Sequence, residues 1–323
     1  MTREAPIPPA AGVRLAWADI PERIRAAVEE WLGSPVVVAS SQAGGFSPGV
    51  AARLTTADGQ RVFAKIAGPE PNEFSPRFHW REARVVADLP DDLPVPRLLW
   101  SSDEGEEGWV ALLFEALEGA NPTVPWQAAD LDRVLDVLIT LSTALTPAPP
   151  ALHWTGTASR WGIANLSGWR RLQYEPPDEL DAWSRTHLDQ LAALADGAPA
   201  AIAGETLLHL DIRADNILLA PDRVWIVDWP HARIGAAWVD LVWFAPSVAM
   251  QGGPSPEALL ARHPAARTAD PAAVTATIAA IAGFFTYQAL LEPPPGLPTL
   301  RAFQAAQGRA ARAWLAERTG LPS

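Results

Sequence analysis

The sequence contains no cysteine, which excludes a disulfide framework, a thiolate metal site and a cysteine nucleophile. Lysine is nearly absent too: of 25 cationic side chains, only Lys65 is a lysine and the other 24 are arginines. Enrichment in Ala, Pro and Arg accounts for a general loss of lysine. The single survivor therefore marks a candidate position where a compact ammonium is not interchangeable with a planar guanidinium. There is no surplus of positive charge. The net charge is −12, against non-specific nucleic-acid binding, which needs a basic surface. Residues 1–115 and 116–323 each contribute −6, so the acidity singles out neither half. The opening MTREAPIPPAAGVRLAW lacks the apolar core of a signal peptide. One uncharged stretch, Pro271–Leu291, is long enough to span a bilayer. It is Ala-rich and carries Thr275, Thr277, Thr286, Tyr287 and Gln288, so it reads as a buried helix. A cytoplasmic protein with no membrane or nucleic-acid partner is expected, of an oligomeric state the sequence does not reveal.

What the chain does have is enough apolar material for a core. Its 323 residues, 49% hydrophobic, suit one large or two medium folded domains. The stretch that organises it is His209–Asp228, HLDIRADNILLAPDRVWIVD. Two apolar runs, Ile217–Ala220 and Val224–Val227, flank the turn signal Pro221-Asp222-Arg223, which reads as a hairpin. A hairpin brings its open ends together, so Asn216 and Asp228 are expected side by side, with Asp211 on the entering loop. Two carboxylates and an amide oxygen so placed suit metal-dependent phosphoryl transfer. Asn216 and Asp228 would hold Mg²⁺, and Asp211 would accept a substrate hydroxyl proton. The spacing H-x-D-x-x-x-x-N is that of the catalytic loop of kinase-like enzymes. With 6 His, 19 Asp and 4 Asn in the chain, chance supplies about 0.004 such matches, so the spacing is specific.

Taken in order, residues 1–17 read as a loosely ordered, Pro-rich lead-in. Asp19–Trp31 follows as a helix capped by Asp19, with Ile24, Ala27, Val28 and Trp31 at helical spacing. Strand, Gly-rich turn, strand, turn, strand come next. Gly44-Gly45-Phe46-Ser47-Pro48-Gly49 forms the first turn, where backbone N–H groups could approach phosphates. Lys65 stands near the end of the third strand, placed to reach a nucleotide's phosphates. The helix Phe78–Leu89 carries Glu82, the natural ion-pair partner for Lys65; Glu73 is a weaker choice, in a loop between Pro71 and Pro76. Strands at Arg97–Trp100 and Trp109–Leu113 enclose the acidic turn DEGEEG. Then Phe114–Gly119 leaves the sheet, and the backbone around Glu115 and Leu117 could read the adenine edge. The rest is mostly helical: Leu131–Leu145 capped by Asp130, an irregular Trp-rich stretch at 151–180, and helices at Asp181–Asp196, Val239–Met250, Pro271–Leu291 and Leu300–Arg318.

The chain resembles the aminoglycoside phosphotransferase family, kinase-like enzymes that phosphorylate small molecules. The resemblance is carried by GGFSPGVAARL, FAKIA, WREARVVADL, LPVPRLL, LLFEALEG, LLHLDIRADNILL and VWIVDWPHARIGAAWVDLVWF, spanning residues 42–244. It implies an α+β, bilobal, protein-kinase-like fold. A small antiparallel-sheet N-lobe (1–115) would bind nucleotide, and a larger, mainly helical C-lobe (116–323) would hold the catalytic and acceptor groups. It implies Asp211 as catalytic base, Asn216 and Asp228 as Mg²⁺ ligands, and Lys65, oriented by Glu82, on the phosphates. Gly45, Ser47, Glu115 and Leu117 would complete the nucleotide site, and Asp240 would brace the catalytic loop. ATP or GTP would be the donor. The acceptor would be a small hydroxylated molecule: an aminoglycoside or other antibiotic, or a metabolite such as an amino alcohol or sugar.

Two departures stand out. Leu210 occupies the place where the family usually has glycine, and Arg213 follows Asp211 where protein kinases often have lysine. Arg213 is expected to pair with a neighbouring carboxylate or touch the transferred phosphate. His209 reads as a buried anchor and Asp215 as structural or solvent-facing. Asp178, Glu179 and Asp181 are acidic candidates for a cationic-acceptor pocket, although a solvated helix start explains them too. A protein kinase is disfavoured, because only 11 residues separate Asp228 from Asp240 and Ala245-Pro246 is followed by Ser247. A non-catalytic nucleotide-binding scaffold remains as a second reading.

Overall fold

β-Branched and apolar residues alternate through the first third of the chain, and they form a five-stranded antiparallel sheet of order β1-β2-β3-β5-β4. Its strands are β1 (Val36–Ser41), β2 (Val50–Thr56), β3 (Arg61–Ala67), β4 (Leu98–Asp103) and β5 (Val110–Glu115). The structure, a computed structural model, describes residues 8–42, 44–105 and 108–322. Successive side chains in a strand face opposite ways. Val62, Ala64 and Ile66 of β3 therefore pack with Ile24 and Val28 of α1 (Glu22–Leu32) and with Ile20 just before it, in a cluster that also takes Ala111 and Leu113 of β5. Val110, Leu112 and Phe114 face the other way, against Val85 and Val86 of α2 (Ser75–Ala87). The sheet is thus covered on both faces, which explains why β5 is apolar throughout. It also leaves Lys65 on the α2 side.

The remainder is mainly helical: α3 (Ala128–Ala144), α4 (Ala158–Asn165), α5 (Gly168–Tyr174), α6 (Ala182–Thr186), α7 (Leu188–Ala195), α8 (Ala198–Ala201), α9 (Val239–Met250), α10 (Pro256–Leu260), α11 (Pro264–Thr268), α12 (Pro271–Ala289) and α13 (Leu300–Thr319). Four short strands interrupt it. β6 (Thr206–Leu208) pairs with β9 (Arg233–Gly235), a strand with no distinct sequence signal, and β7 (Ile217–Leu219) forms the expected hairpin with β8 (Val224–Ile226). α12 is the one helix among the described residues long and apolar enough to cross a membrane. Most of that stretch is buried, with Ile278 to Ala282 inside the core that joins the helices.

Several local expectations are corrected. Asp19 lies in a 3₁₀ turn, and Pro21 stands at the N-terminus of α1, because the Ile-Pro step starts the helix later. The buried face of α1 is Ile24, Val28 and Leu32; Trp31 is exposed and stacks on Trp100. Gln127, not Asp130, precedes α3. The stretch 151–180 contains two helices, and 181–196 is split at His187, whose ψ of 12° breaks the spiral.

The lead-in is ordered where it is described; residues 1–7 lie outside that range, as do Glu106 and Glu107 of the acidic turn. Val13 and Gly49 are joined through Gly49 N–H to Val13 C=O, Leu15 N–H donates to Gly49 C=O, and Gly45 N–H donates to Ala10 C=O. At the other side, Val13 N–H donates to Gly296 C=O and the Thr299 hydroxyl to Ala11 C=O. Backbone pairing of this kind overrides the low structural propensity of a proline-rich segment.

Candidate active site

Lys65 is where the sheet meets the helical part. Its Nζ donates to both Glu82 carboxylate oxygens at 2.8 Å and to Asp228 Oδ1 at 2.6 Å. Glu82 comes from the buried face of α2, as expected, and Glu73 takes no part. Burial alone would depress the Lys65 ammonium, but the Asp228 and Glu82 carboxylates outweigh it and hold it above its usual value. Asp228 sits well below the ordinary carboxylate range, because Lys65 overcomes its burial. Burial, with Asp228 nearby, pushes Glu82 up to about 7 against the pull of Lys65. When Glu82 is ionised, two carboxylates share one ammonium and the cluster is negative; when it is protonated, Lys65 and Asp228 balance.

The loop carrying Asp211 is fixed from several sides. Asp240, at the start of α9, accepts from His209 N–H at 2.8 Å and Leu210 N–H at 2.7 Å. Burial raises the Asp240 carboxyl to about 6. Leu210 is held at φ 61° and Asp228 at φ 71°, a conformation that side-chain-bearing residues seldom adopt and that marks over-determined sites. The buried His209 Nε2 lies 3.0 Å from Val227 C=O, and its Nδ1 takes the Asp211 N–H at 3.1 Å. Burial drops its pKa to about 4. It is a neutral anchor tying the loop to the hairpin exit. Asn121 adds another tie, its amide donating to the carbonyls of Ala214, Asp215 and Ile217.

Asn216 donates to the Asp211 backbone carbonyl at 2.8 Å and to Asp211 Oδ2 at 3.1 Å. Arg213 bridges Asp211 and Asp215, with Nη2 at 2.7 Å from Asp215 Oδ2. Its guanidinium also lies over the rings of Phe46, at 5.3 Å, and Phe303, at 5.9 Å. Asp215 accordingly takes the structural role, as a half-buried partner of Arg213 at the edge of the first cavity. Burial raises the Asp211 carboxyl, and Arg213 opposes the rise.

Two cavities meet here. One, of about 220 Å³, is lined by Gly45, Ser47, Lys65, Glu82, Glu115, Leu117, Asn216 and Asp228, among others. Every expected nucleotide- and metal-site residue is on it. The Glu115 side chain is spent on Arg97, accepting its N–H at 2.8 Å, and the Glu115 N–H donates to Arg97 C=O at 3.1 Å. Gly49 closes the Gly-rich turn at φ 119°, where a Cβ would fall 2.4 Å from Ile66 C=O. The second cavity, of about 370 Å³, lies beyond Asp211 and Asp228 and shares Phe46, Ser47 and Asp228 with the first. Asp178, Glu179 and Asp181 line neither; Asp181 caps α6 and pairs with Arg312.

Arg14 went unrecognised in the sequence. It enters the first cavity and donates to the backbone carbonyls of Gln42, Gly44 and Ser47. It thereby holds the Gly-rich turn closed. Phe46, on that turn, packs edge-on against Phe303 of α13 at 5.3 Å. Neither contact has a sequence signal, since each joins segments far apart in the chain.

Solved structures share this fold. A thermostable mutant of the aminoglycoside phosphotransferase APH(4)-Ia, in ternary complex with ADP and hygromycin B, is 18% identical with a TM-score of 0.63, covering 93% of this chain and 99% of that one. An aminoglycoside phosphotransferase in complex with GDP and kanamycin gives 13% identity and a TM-score of 0.64, covering 93% and 99%. The choline kinase LicA from Streptococcus pneumoniae gives 12% and 0.60, covering 92% and 98%. The fold is therefore the expected bilobal, kinase-like α+β fold. No match to the sequence was found among curated proteins. The model of the phosphotransferase enzyme family, APH, matches residues 41–281, three-quarters of the sequence and the whole of the constellation around Lys65, Asp211 and Asp228. The chain belongs to that family, a kinase whose acceptor is a hydroxyl group.

Proposed function

We propose that the protein transfers the γ-phosphoryl group of ATP or GTP to a hydroxyl of a small molecule, with nucleotide in the cavity under the Gly-rich turn and acceptor in the one beyond Asp211. The observation that carries this reading is the meeting of the two cavities at Asp228 and the Phe46–Ser47 turn, with Asp211 on the acceptor side. Residues 1–115 would form the nucleotide lobe and 116–323 the catalytic and acceptor lobe. A cytoplasmic location fits, since the nucleotide pool lies there.

In this reading Lys65, held charged and aimed by Glu82, engages the nucleotide phosphates, and the Gly-rich turn covers them, through N–H groups other than those of Gly45 and Gly49, which donate to Ala10 and Val13 C=O. The backbone near Glu115 and Leu117 takes the base. Asp211 orients the acceptor hydroxyl and receives its proton. Asn216 keeps Asp211 in place through its amide hydrogens, which leaves its carbonyl oxygen for a cation. That oxygen and the Asp228 carboxylate are hard donors and fit Mg²⁺. No set of three His, Cys, Asp or Glu among the described residues could hold a metal ion alone. This agrees with Mg²⁺, which is commonly bound by one or two protein oxygens plus phosphates and water. When bound, Mg²⁺ would neutralise charge on the phosphates.

The test is Asp211→Ala. Transfer to any accepted alcohol should fall by about 10³-fold, the scale of a lost, positioned base, while nucleotide affinity stays within about twofold. Unimpaired transfer would remove Asp211 from the reaction.

A further inference from the structure

The second cavity is walled by aromatic rings. Trp161, Trp243, Phe284 and Phe285 line it and pack on one another, with Trp161–Trp243 at 5.8 Å, Trp243–Phe284 at 5.5 Å and Phe284–Phe285 at 5.4 Å between centroids. Phe46 and Phe303 close one side as an edge-on pair. Phe74 and Phe78 stand at its rim, 55% and 41% exposed, where large apolar side chains need a reason to face water.

Charge is scarce by comparison. Among the described residues lining this cavity, Asp211 and Asp228 are the only acids. Both are already matched by cations, Asp211 by Arg213 and Asp228 by Lys65. The lining amides carry no charge, and each is held through one of its ends. Asn72 donates to Pro295 C=O, Gln307 donates to Ser247 Oγ, and the Gln304 carbonyl accepts from Arg301. A molecule bearing several ammonium groups would lose water at each of them and find no carboxylate in return, a heavy penalty in a low-dielectric site. An apolar ring system would instead gain from burial against these aromatic walls. A cavity of about 370 Å³ is in the range that takes a drug-sized molecule.

We propose that the acceptor is a drug-sized, predominantly apolar, ring-bearing alcohol with at most one positive charge, and not a polycationic amino sugar. This rests on the phosphotransferase reading above, and narrows its acceptor class.

The experiment compares two sets of compounds on the full-length enzyme. One set is neutral ring-bearing alcohols, sterols and terpenoid alcohols such as estradiol and borneol; the other is polyamino sugars such as kanamycin and hygromycin B. Phosphate transfer from ATP and from GTP is followed, together with calorimetric binding in the presence of ADP. The best neutral alcohol should exceed the best polyamino sugar by at least about 100-fold in kcat/KM or affinity, the order expected from one uncompensated ammonium. Phe284→Glu puts a carboxylate into the wall, away from the reacting groups, and should cut that ratio by about 10-fold or more, whereas Phe284→Gln should not. A ratio near unity, a preference for the polyamino sugars, or failure of every neutral alcohol to bind overturns the proposal. Binding of neutral alcohols without transfer from either nucleotide would leave the cavity's preference standing and refute the phosphotransferase reading instead. If the Phe284 variants do not fold, the wild-type ratio decides alone.

Discussion

Replacing Lys65 with arginine keeps the charge and tests whether the one lysine of the chain is there for its shape. The ammonium donates to three oxygens at 2.6 to 2.8 Å, two on Glu82 and one on Asp228, within a space where the lysine side chain is 13% exposed. A guanidinium is longer, and its donors lie in one plane. It can grip the Glu82 carboxylate with two parallel hydrogen bonds, yet the same group cannot then point a third donor at Asp228 from that short distance. One charge-assisted hydrogen bond in a buried site is worth about 1.5–3 kcal/mol. The loss stays below the 3–5 kcal/mol or so of a fully broken buried pair, since the positive charge remains near Asp228. That converts to about a 10- to 150-fold fall in kcat/KM. Acceptor-independent nucleotide hydrolysis, with fluorescent-nucleotide titration for affinity, measures it without knowing the acceptor. Turnover within about threefold of wild type would refute the argument from shape and reduce the lone lysine to an accident of composition.

Three other perturbations read out the supports of the site. Asp240→Asn removes one of the two acceptors under the His209 and Leu210 N–H groups. It should cost about 1–3 kcal/mol of stability in urea titrations and lower kcat more than nucleotide affinity, because Leu210 is then less firmly held at positive φ; unchanged kcat would argue against bracing. Arg14→Ala frees the Gly-rich turn from three carbonyl contacts and should raise the nucleotide KM by about 5- to 10-fold, the scale of a kilocalorie or so. An unaltered KM would make the latch irrelevant. For His79, buried in α2 with its Nδ1 2.9 Å from Ser75 C=O, burial drops the pKa from 6.5 to about 4, so the unfolded chain binds a proton that the folded one refuses. Its contribution is present above pH 6.5 and is lost as pH falls through 4. The stability advantage of wild type over His79→Gln should therefore shrink by about 2 kcal/mol between about pH 7 and pH 4.5, and a gap constant with pH would contradict a neutral buried imidazole.

How much of this was legible beforehand depends on whether the cause is local. The Pro221-Asp222-Arg223 turn, the hairpin it closes and the helices α9, α12 and α13 were readable because their apolar runs and breakers lie in adjacent residues. Lys65 and Glu82 were readable as partners from strand and helix periodicity. By contrast, β9 carries only three residues and exists because β6 needs an edge partner. The break at His187 falls in the polar run Ser184-Arg185-Thr186-His187, where no glycine or proline signals a stop. The ordered lead-in owes its position to carbonyls of Gly49 and Gly296, which no reading of its own residues would supply.

The same distinction separates the two halves of the site. The groups proposed for phosphoryl transfer sit at fixed intervals along the chain, since a hairpin and a single strand set their geometry, and spacing alone anticipated that Lys65, Asp211, Asn216 and Asp228 would come together. The second cavity, proposed to take the acceptor, has no such grammar. Its rings come from the Gly-rich turn, α2, α4, α9, α12 and α13, and each, seen in its own helix, is merely an apolar residue on an apolar face. The acidic cluster Asp178–Asp181 invited a cationic-acceptor reading because carboxylates are conspicuous in a sequence. In the fold Asp181 caps a helix and pairs with Arg312, and none of the three acids lines either cavity. The proposed acceptor class rests instead on what the cavity wall withholds: both of its acids are already paired, with Arg213 and Lys65, and on that proposal a bound molecule would contribute apolar surface and a hydroxyl, and little charge of its own.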